Sequence, residues 1–588
     1  MWIDRWVGLA SAMAIQACGG LTYTYGVYSE HMKEVLEYTQ EQVDDIGAAK
    51  DFGQSLGIVG GLLYNFYPPF VTVSIGAVLH FVGYMAVLMT LSRKISPPFW
   101  LLCMSIGIGV GGDSWMDAAC IGTNLRNFQE HRGTVMGILK AEVGLSGAIF
   151  VTIYKAFLKP NVNKYVLLVA VGPAVTGLAL ALLIRPYPSE DFGGNQRASL
   201  QWRFRLTYAA IISLALFLLV TILTEAFTED DLLPKPVLVA FAVVMLTIMG
   251  FTFLFPMLYR PVVMLKRHLT GGRDYAYTAP AKDYGIVEES NTEISEGNVM
   301  LHRVVQGKNT SHNREDEEQV LLKDEFEMKS EVVGSVSLIE PGCAKSVVES
   351  PPEQPELTLW MALQTVDFWI LALVAMMGPG CGLAVINNLS QMGKALNLDE
   401  VELYVGLFSI WSCFGRLIAG YGSDSLLRKG WPRPLSFTAA FLTMMFGCLL
   451  LATGSPNILA LGSGCVGLAY GAFWSLLPCI VSEVFGLHQF PAIYKAIVSI
   501  VPIGAFVLSA KVVGYMYDRE VTSYHNQFPN MQWSAEELNT CYGWRCFGYS
   551  LVFLASVSVV GVLVALVLAW RTKSIYLRTR TNLPEIVD

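Results

Sequence analysis

The most informative residues for chemistry are three charged side chains inside long apolar segments: Lys140, Asp113 and Asp117. A charge at the centre of a bilayer costs at least ~2.5 kcal/mol on insertion scales, so it nearly always faces a partner or a watery cavity. Lys140 therefore has two interpretations. It offers positive charge to an anionic solute, or it forms a buried ion pair with Asp113, Asp117 or Asp51 that fixes the helix register. Both interpretations are compatible if a solute competes with the aspartate for Lys140.

Asp113 and Asp117 are four residues apart, which places them on one face of a helix. Two carboxylates so close repel each other, and in a medium of low dielectric one of them is expected to hold its proton more tightly. A proton-coupled carrier needs a group of that kind. The alternative is that one aspartate pairs with Lys140 while the other reaches the rim of the membrane.

Two neighbouring amides, Asn387 and Asn388, end another apolar segment. Amide side chains donate and accept hydrogen bonds and are costly to bury without a partner. We therefore regard both as candidates for contact with a polar solute. The C-terminal end of a helix would explain them equally well.

The composition is typical of a protein whose surface lies mostly in an apolar environment and not in water. Hydrophobic residues make up 53% of the 588 residues and charged residues only 15%, whereas a soluble chain carries about 25% charged residues. The net charge of −8 without a basic patch argues against nucleic-acid binding, and 11 cysteines are too sparse for a disulfide scaffold. No Walker loop, HExxH motif, metal-ligand spacing or nucleophile elbow is found, so we expect no enzyme, no cofactor and no catalytic or metal-binding residues.

Fourteen segments are apolar and long enough to cross a bilayer, which takes roughly 20 helical residues. Their continuous apolar character favours helices over a β-barrel, which would alternate at every second residue. An all-α, polytopic membrane protein is therefore expected, embedded in the lipid bilayer. The segments lie near residues 6–28, 46–64, 70–91, 98–122, 133–154, 165–184, 205–224, 235–257, 365–386, 402–421, 434–453, 457–480, 496–516 and 548–570.

The loops predict an orientation and a division into domains. Lys and Arg are concentrated in the loops that share a side with the termini, so both termini are expected in the cytosol, with the first span acting as an uncleaved signal anchor. The membrane is either the plasma membrane or an endomembrane. Cys541 and Cys546 fall in an outer loop, where either a disulfide or free thiols are possible. The expected domains are a six-helix half at 1–190, two additional helices at 191–262, a disordered cytosolic linker at 263–362 and a second six-helix half at 363–588.

An internal duplication supports two halves. The fourth and twelfth segments share four residue types at one spacing of 359 residues, two of them the rare types Trp and Cys. Parallel repeats of this kind build many secondary transporters, with the solute site between the halves near the middle of the membrane. The fifth and thirteenth segments align at GA, residues 147–148 and 504–505, with a spacing of 357 residues. On that second alignment Ile497 matches Lys140, so we expect no symmetric partner for that charge. The matched pairs of the first alignment are Gly112 and Gly471, Trp115 and Trp474, Cys120 and Cys479, and Ile121 and Ile480.

The segment GRLIAGYGSD at 415–424, followed by RKG at 428–430, resembles the G-x-x-x-D-(R/K) loop signature of the major facilitator superfamily. The resemblance implies that Gly420, Asp424, Arg428 and Lys429 belong to a cytosolic latch that holds the helices in one conformation. Arg416 is expected to join the latch through Asp424. The equivalent segment of the first half, GLLYN at 61–65, departs from the signature at its last residue.

Further motifs, spread over nearly the whole chain outside the linker, resemble the plant nodulin-like branch of that superfamily. The superfamily fold implies that Tyr23, Trp115 and Trp474 lie on helices that line the central cavity, although aromatic side chains in membranes more often serve packing. The motifs are AKDFG at 49–53, RG at 132–133 with GILK at 137–140, NLSQM at 388–392, SEVFGL at 482–487, YDRE at 517–520 and RTKSIY at 571–576.

We therefore expect a secondary transporter of a small solute, working by alternating access, with an anionic cargo and proton coupling as hypotheses. The competing hypothesis is a membrane receptor or scaffold that kept the fold, does not transport, and signals through cytosolic partners of the linker, because a fold does not determine a function.

Overall fold

The computed structural model describes residues 4–187, 194–226, 228, 234–257, 356–396, 398, 401–527 and 541–581. Within these residues the chain is helical, as the sequence predicts. Most of the predicted linker at 263–362 lies outside them.

The first half begins with a broken span. Helix α1 (Arg5–Cys18) is capped by Asp4, whose carboxylate accepts from two main-chain N–H groups, and a 3₁₀ turn leads into α2 (Tyr25–Leu36). At the break, a Cβ on Gly20 would lie 2.2 Å from the Val143 carbonyl oxygen, so only glycine allows this close approach. The second span is likewise made of α3 (Gln40–Gly53) and α4 (Gly57–Phe66).

The remaining helices before the linker are longer. They are α5 (Pro69–Leu91), α6 (Phe99–Asn127), α7 (Arg132–Ile153), α8 (Val162–Leu180), α9 (Gly194–Ala226) and α10 (Lys235–Leu254).

The second half repeats this order. Its helices are α11 (Leu359–Leu363), α12 (Val366–Ala395), α13 (Val401–Arg428), α14 (Leu435–Ala452), α15 (Pro456–Val484), α16 (Phe490–Val498), α17 (Val501–Ala505), α18 (Gly514–Gln527) and α19 (Arg545–Thr581), with a π-helical stretch at Phe506–Val513.

Each of the fourteen expected spans coincides with one helix or a run of consecutive helices in the described residues. Eleven helical stretches are long and apolar enough to cross a membrane. The other three spans are the two broken ones and α6, whose glycines and aspartates lower its hydropathy. One boundary prediction is wrong: α12 continues to Ala395, so Asn387 and Asn388 lie inside a helix and not at its end.

Large apolar side chains cover the outside of the bundle, as expected of a surface in contact with lipid. Val78 is 50% exposed, Leu182 69% and Leu563 59%. Charged residues such as Lys140 and Arg416 are instead buried between helices. The pattern inverts the usual distribution of a soluble protein, in which charged residues are exposed.

The two halves meet mainly along α7 and α13, and near α4 and α16. We call the end of the bundle that carries the turns 128–131 and 429–434 the latch end, and the other end, which carries the Cys541–Cys546 disulfide, the opposite end. At the latch end a Cβ on Gly133 would lie 2.3 Å from the Gly420 carbonyl oxygen. Two glycines therefore allow the backbones of α7 and α13 to touch.

Candidate functional site

One carboxylate at the centre of the bundle is shared by two lysines from different halves. Lys140 of α7 places its Nζ 2.7 Å from Asp117 Oδ1, and Lys495 of α16 places its Nζ 2.7 Å from Oδ2 of the same side chain. Both lysine side chains are nearly buried, at 6% and 4% exposure, while Asp117 keeps 18%. Asp117 therefore joins the two halves through one ion-paired group.

A third helix of the first half completes the ring around Asp117. Gln16 on α1 donates from Nε2 to Asp117 Oδ1 at 2.8 Å, and its side chain is 2% exposed. Because Oδ1 accepts from an amide and an ammonium while Oδ2 accepts from an ammonium, both carboxylate oxygens are engaged. We call Gln16, Asp117, Lys140 and Lys495 the central cluster.

Two aromatic rings of the second half face these lysines. Lys140 Nζ lies 6.0 Å from the centroid of Trp474 and 5.8 Å from that of Tyr494, and Lys495 Nζ lies 5.7 Å from Tyr494. Such distances fit cation–π contact. The rings thus supply an apolar wall that still favours positive charge.

Arg416 adds a further cation beside the central cluster. Its side chain is 1% exposed, it packs against Gly144, and it donates from Nη1 to the main-chain oxygen of Lys140 at 2.8 Å. Arg416 does not contact Asp424, contrary to the expectation, because it lies two helical turns nearer the middle of α13. Lys140 and Lys495 thus contact the carboxylate of Asp117, and Arg416 places a third cation beside Lys140 inside the membrane.

The sequence analysis does not identify Lys495, which reaches Asp117 from a different position in the repeat than Lys140. The sequence contains a usable signal: a lysine near the start of an apolar helix in each half, in GILK at 137–140 and YKAI at 494–497.

Asp113 has a separate environment. His80 of α5 places Nδ1 2.8 Å from Asp113 Oδ1, and its other ring nitrogen lies 2.8 Å from the Val169 carbonyl oxygen of α8. His80 is fully buried and Asp113 is 7% exposed. The two predicted aspartates therefore separate: Asp117 faces the second half, and Asp113 is held inside the first.

Asp424, the predicted latch residue, binds the N-terminus of α7 across the two halves. Its Oδ1 accepts from Gly133 N at 2.9 Å, and its Oδ2 accepts from Thr134 N at 2.6 Å and Thr134 Oγ1 at 2.7 Å. A helix N-terminus has free N–H groups and a positive dipole end, so a carboxylate is well suited to it. The cationic partner of Asp424 is Arg433, whose Nη1 lies 2.9 Å from Oδ1.

Arg433 links the latch to a second acidic residue. Its guanidinium contacts Glu483 of α15 at 2.9 Å, and Glu483 also accepts from Tyr576 Oη at 2.8 Å. Burial opposes the charge on Arg433, but Glu483 and Asp424 together hold its pKa well above the usual value. The arginine therefore stays charged and keeps both carboxylates in place.

The remaining predicted latch residues differ in position. Gly420 lies against Gly133, whereas Arg428 and Lys429 are exposed at the end of α13. Other contacts close the latch end: Arg126 Nη2 donates to the carbonyl oxygens of Leu487 at 3.0 Å and His488 at 3.1 Å. All of these hydrogen bonds between the halves lie between the latch end and the level of Lys140.

The other predicted solute contacts are spread over the bundle. Trp115 donates from Nε1 to the Leu56 carbonyl oxygen at 2.8 Å, which is a contact within the first half. Asn388 donates to Ser509 Oγ at 3.1 Å in the π-helical stretch, and Asn387 is exposed. The side chain of Tyr23 lies outside the described residues. No cluster of three or more His, Cys, Asp or Glu side chains suited to a metal ion occurs in the described part of the chain.

Comparison with known proteins adds family information. A model of the Nodulin-like family matches residues 5–258, and a model of the NFD4 C-terminal domain matches residues 354–577. The Arabidopsis thaliana protein NUCLEAR FUSION DEFECTIVE 4 is 25% identical over 590 aligned positions, covering 98% of this chain and 90% of that protein.

Two further matches bear transporter names. A probable transporter mch1 of Emericella nidulans is 28% identical over 260 positions, covering 37% of this chain and 40% of that protein. The solved structure of the proton:xylose symporter XylE, a major facilitator superfamily protein bound to 6-bromo-6-deoxy-D-glucose, has a TM-score of 0.51 at 12% identity, covering 95% of this chain and 94% of that chain. At that identity the likeness shows the fold alone.

Proposed function

The chain belongs to the plant nodulin-like branch of the major facilitator superfamily, and from this premise we propose that it carries a small anionic solute through the membrane by alternating access. It is a multi-pass membrane protein with the fold of secondary transporters. The observation that carries the proposal is the carboxylate of Asp117 shared by Lys140 and Lys495.

The charges of the central cluster favour an anion over a cation or a neutral solute. Two lysines with one carboxylate between them retain one positive charge, and the guanidinium of Arg416 beside them adds another. Leaving such charge uncompensated in a medium of low dielectric is costly. The side chain of Asp117 is 18% exposed, which gives an anion access to the cluster. Such an anion would supply the missing negative charge.

An exchange of partners would couple solute binding to movement of the halves. Lys140 belongs to the first half and Lys495 to the second, and each is bonded to one oxygen of Asp117. A bound carboxylate or phosphate could accept from both ammonium groups in place of Asp117, with Trp474 and Tyr494 beside its apolar portion. The halves then remain joined through the solute instead of through Asp117.

The latch would control which end is open. Asp424, Gly133 and Thr134 hold the latch end shut, so this conformation is closed at that end. We place the latch end and both termini in the cytosol, because Lys and Arg are concentrated there and the Cys541–Cys546 disulfide lies at the opposite end. The structure then corresponds to a carrier that is shut toward the cytosol.

We infer that proton coupling accompanies solute movement. Asp117 is occupied by two lysines, which leaves Asp113, 2.8 Å from His80, as the carboxyl of α6 available to a proton. A positive charge carried with an anion would reduce the net charge moved through the membrane.

Binding can be tested before the solute is identified. Purified protein in nanodiscs is incubated with a plant metabolite extract, and retained compounds are identified by mass spectrometry for the wild type and for Asp117→Asn. We expect retained organic or inorganic anions in the wild type and a different set in the variant. Retention of neutral compounds only, unchanged by the substitution, would refute the anion proposal.

The receptor or scaffold hypothesis makes a different prediction. Deletion of residues 275–355 leaves every described helix in place. A transporter should keep its uptake rate in proteoliposomes after this deletion, whereas a receptor should keep ligand binding and lose its cellular phenotype.

A further inference from the structure

A buried acid–base pair inside the first half has no role in the anion site. His80 Nδ1 lies 2.8 Å from Asp113 Oδ1, with the imidazole fully buried and Asp113 7% exposed. The other imidazole nitrogen lies 2.8 Å from the carbonyl oxygen of Val169, which fixes the ring orientation. No described contact joins either side chain to Lys140 or Lys495.

The helices packed around the pair bring further polar groups toward it. Tyr84, one turn after His80 on α5, lies with its ring centroid 4.7 Å from that of His80. The carboxylate of Asp113 also acts electrostatically on Tyr28 of α2, on Cys18 at the end of α1 and, along α6, on Asp117. Lys495 of the second half interacts electrostatically with Asp113. Tyr165 of α8 interacts electrostatically with Tyr84.

Three tyrosines of α2 and α5 lie near this pair. Tyr84 and Tyr28 interact through their side chains, and the ring of Tyr28 lies 5.3 Å from that of Tyr25. Lys50 Nζ in turn lies 5.4 Å from the Tyr25 ring, and its side chain is 12% exposed.

We propose that His80 and Asp113 form the proton-binding site of this carrier, separate from the anion site. The geometry supports this, because the two groups share one short contact, and Asp117 and Lys495 are the other charged groups that act on Asp113. The inference deepens the proposed function and rests on it.

The proton balance of the site is simple. With the proton bound, the pair consists of an imidazolium and a carboxylate and has no net charge. With the proton released to water, a neutral imidazole faces the carboxylate and the pair carries one negative charge. One proton is thus taken up and released in each cycle, and no oxidant, reductant or covalent intermediate is needed.

Asp117 provides the link between proton and anion. It lies one helical turn from Asp113, about 6 Å along α6. When an anion takes Lys140 and Lys495 from Asp117, the freed carboxylate adds negative charge beside Asp113 and favours proton binding there. Anion and proton would therefore bind together and cross in the same direction.

The test separates exchange from proton-driven uptake in proteoliposomes. The probes are radiolabelled pyruvate, malate, citrate and inorganic phosphate, and the variants are His80→Gln and Asp113→Asn, with Glu142→Gln as a matched control. Glu142 is a fully buried carboxyl of α7 that faces Thr252 of α10, away from the pair. We expect both site variants to keep exchange of the transported probe. Their accumulation of probe under an inward proton gradient should fall by about tenfold or more, whereas Glu142→Gln should accumulate it like the wild type.

Each alternative outcome is decisive. If wild-type protein exchanges none of the probes, the anion proposal is refuted for these anions, and the proton site is judged by nuclear magnetic resonance of ¹⁵N-histidine in nanodiscs. There the His80 signal, assigned by its loss in His80→Gln, should change between neutral and protonated forms between about pH 5 and 9. The inference is overturned if that signal keeps one form throughout, if the site variants accumulate probe like the wild type, or if Glu142→Gln loses the coupling instead.

Discussion

Replacing Asp424 by asparagine should open the latch end of the transporter. In the closed conformation Asp424 accepts from Arg433 of its own half and from three donors of the other half: Gly133 N, Thr134 N and Thr134 Oγ1. Only the bonds to the other half depend on closure, because Arg433 moves with Asp424. A change in those bonds therefore shifts the equilibrium between closed and open forms.

The size of the shift follows from the number of bonds lost. Asparagine keeps one carbonyl oxygen, and its amide nitrogen must face N–H groups that need an acceptor. With the oxygen toward Gly133, the bond from Thr134 N disappears, and the contacts with Gly133 N and Thr134 Oγ1 no longer involve a charged group. A hydrogen bond to a charged group contributes roughly 1.5–3 kcal/mol net and a neutral one about 1 kcal/mol, so one lost and two weakened bonds cost the closed form about 3 kcal/mol. That corresponds to a change on the order of 10²-fold in the closed-to-open ratio.

Electron paramagnetic resonance can measure this ratio. Spin labels at Gln129→Cys and Trp431→Cys, both exposed at the latch end, report the separation of the halves. The wild-type background should give one short distance, and Asp424→Asn should add a longer one. Asp367→Asn is the matched control, because Asp367 pairs with Arg571 at 2.6 Å within a single half. An unchanged distance distribution in Asp424→Asn would refute the latch.

Three further predictions follow from the same contacts. Lys495→Met should raise the transport KM for the anionic probe as much as Lys140→Met does, by about tenfold or more, because both lysines share Asp117; an effect confined to Lys140 would contradict a shared site. Gly420→Ala should favour the open form in the spin-label experiment, since its Cβ would lie 2.4 Å from the Gly133 carbonyl oxygen; a closed distance like that of the wild type would contradict this packing. Glu142→Leu should leave the thermal unfolding temperature in nanodiscs equal or higher, because a carboxyl that is fully buried without an ion-pair partner among the described residues destabilises by roughly 1–3 kcal/mol; a clear drop would show that Glu142 has a stabilising partner.

The sequence predicts the architecture well because membrane spans are encoded locally. Continuous apolar runs of about 20 residues are enough to place a helix in lipid, and every such run is helical. The breaks in the first and second spans are not predicted, since they depend on Gly20 and Gly53 touching other helices and not on local composition.

The site is predicted only in part, because a contact between the halves depends on the sequences of both and cannot be predicted from one. The cost of burying charge singles out Lys140, Asp113 and Asp117, and one of the predicted ion pairs forms. Lys495 is missed because it lies just before the predicted apolar segment at 496–516, although Pro491 is a residue type that favours the first turn of a helix.

The latch is likewise predicted only in part. The loop signature identifies Asp424, but its ligands on α7 are main-chain N–H groups, which no residue type reveals. His80 is likewise not identified from the sequence, because a single histidine in an apolar helix is informative only once its neighbour Asp113 is known.

The most direct test of a solute carrier with two lysines around one carboxylate is uptake into proteoliposomes by wild type and by Lys140→Ala. Radiolabelled carboxylates and phosphate are offered singly outside vesicles that contain purified protein in one uniform orientation. The account predicts that at least one of these anions enters through the wild-type protein and that Lys140→Ala reduces its rate by about tenfold or more. Uptake of that anion by Lys140→Ala at the wild-type rate would contradict it.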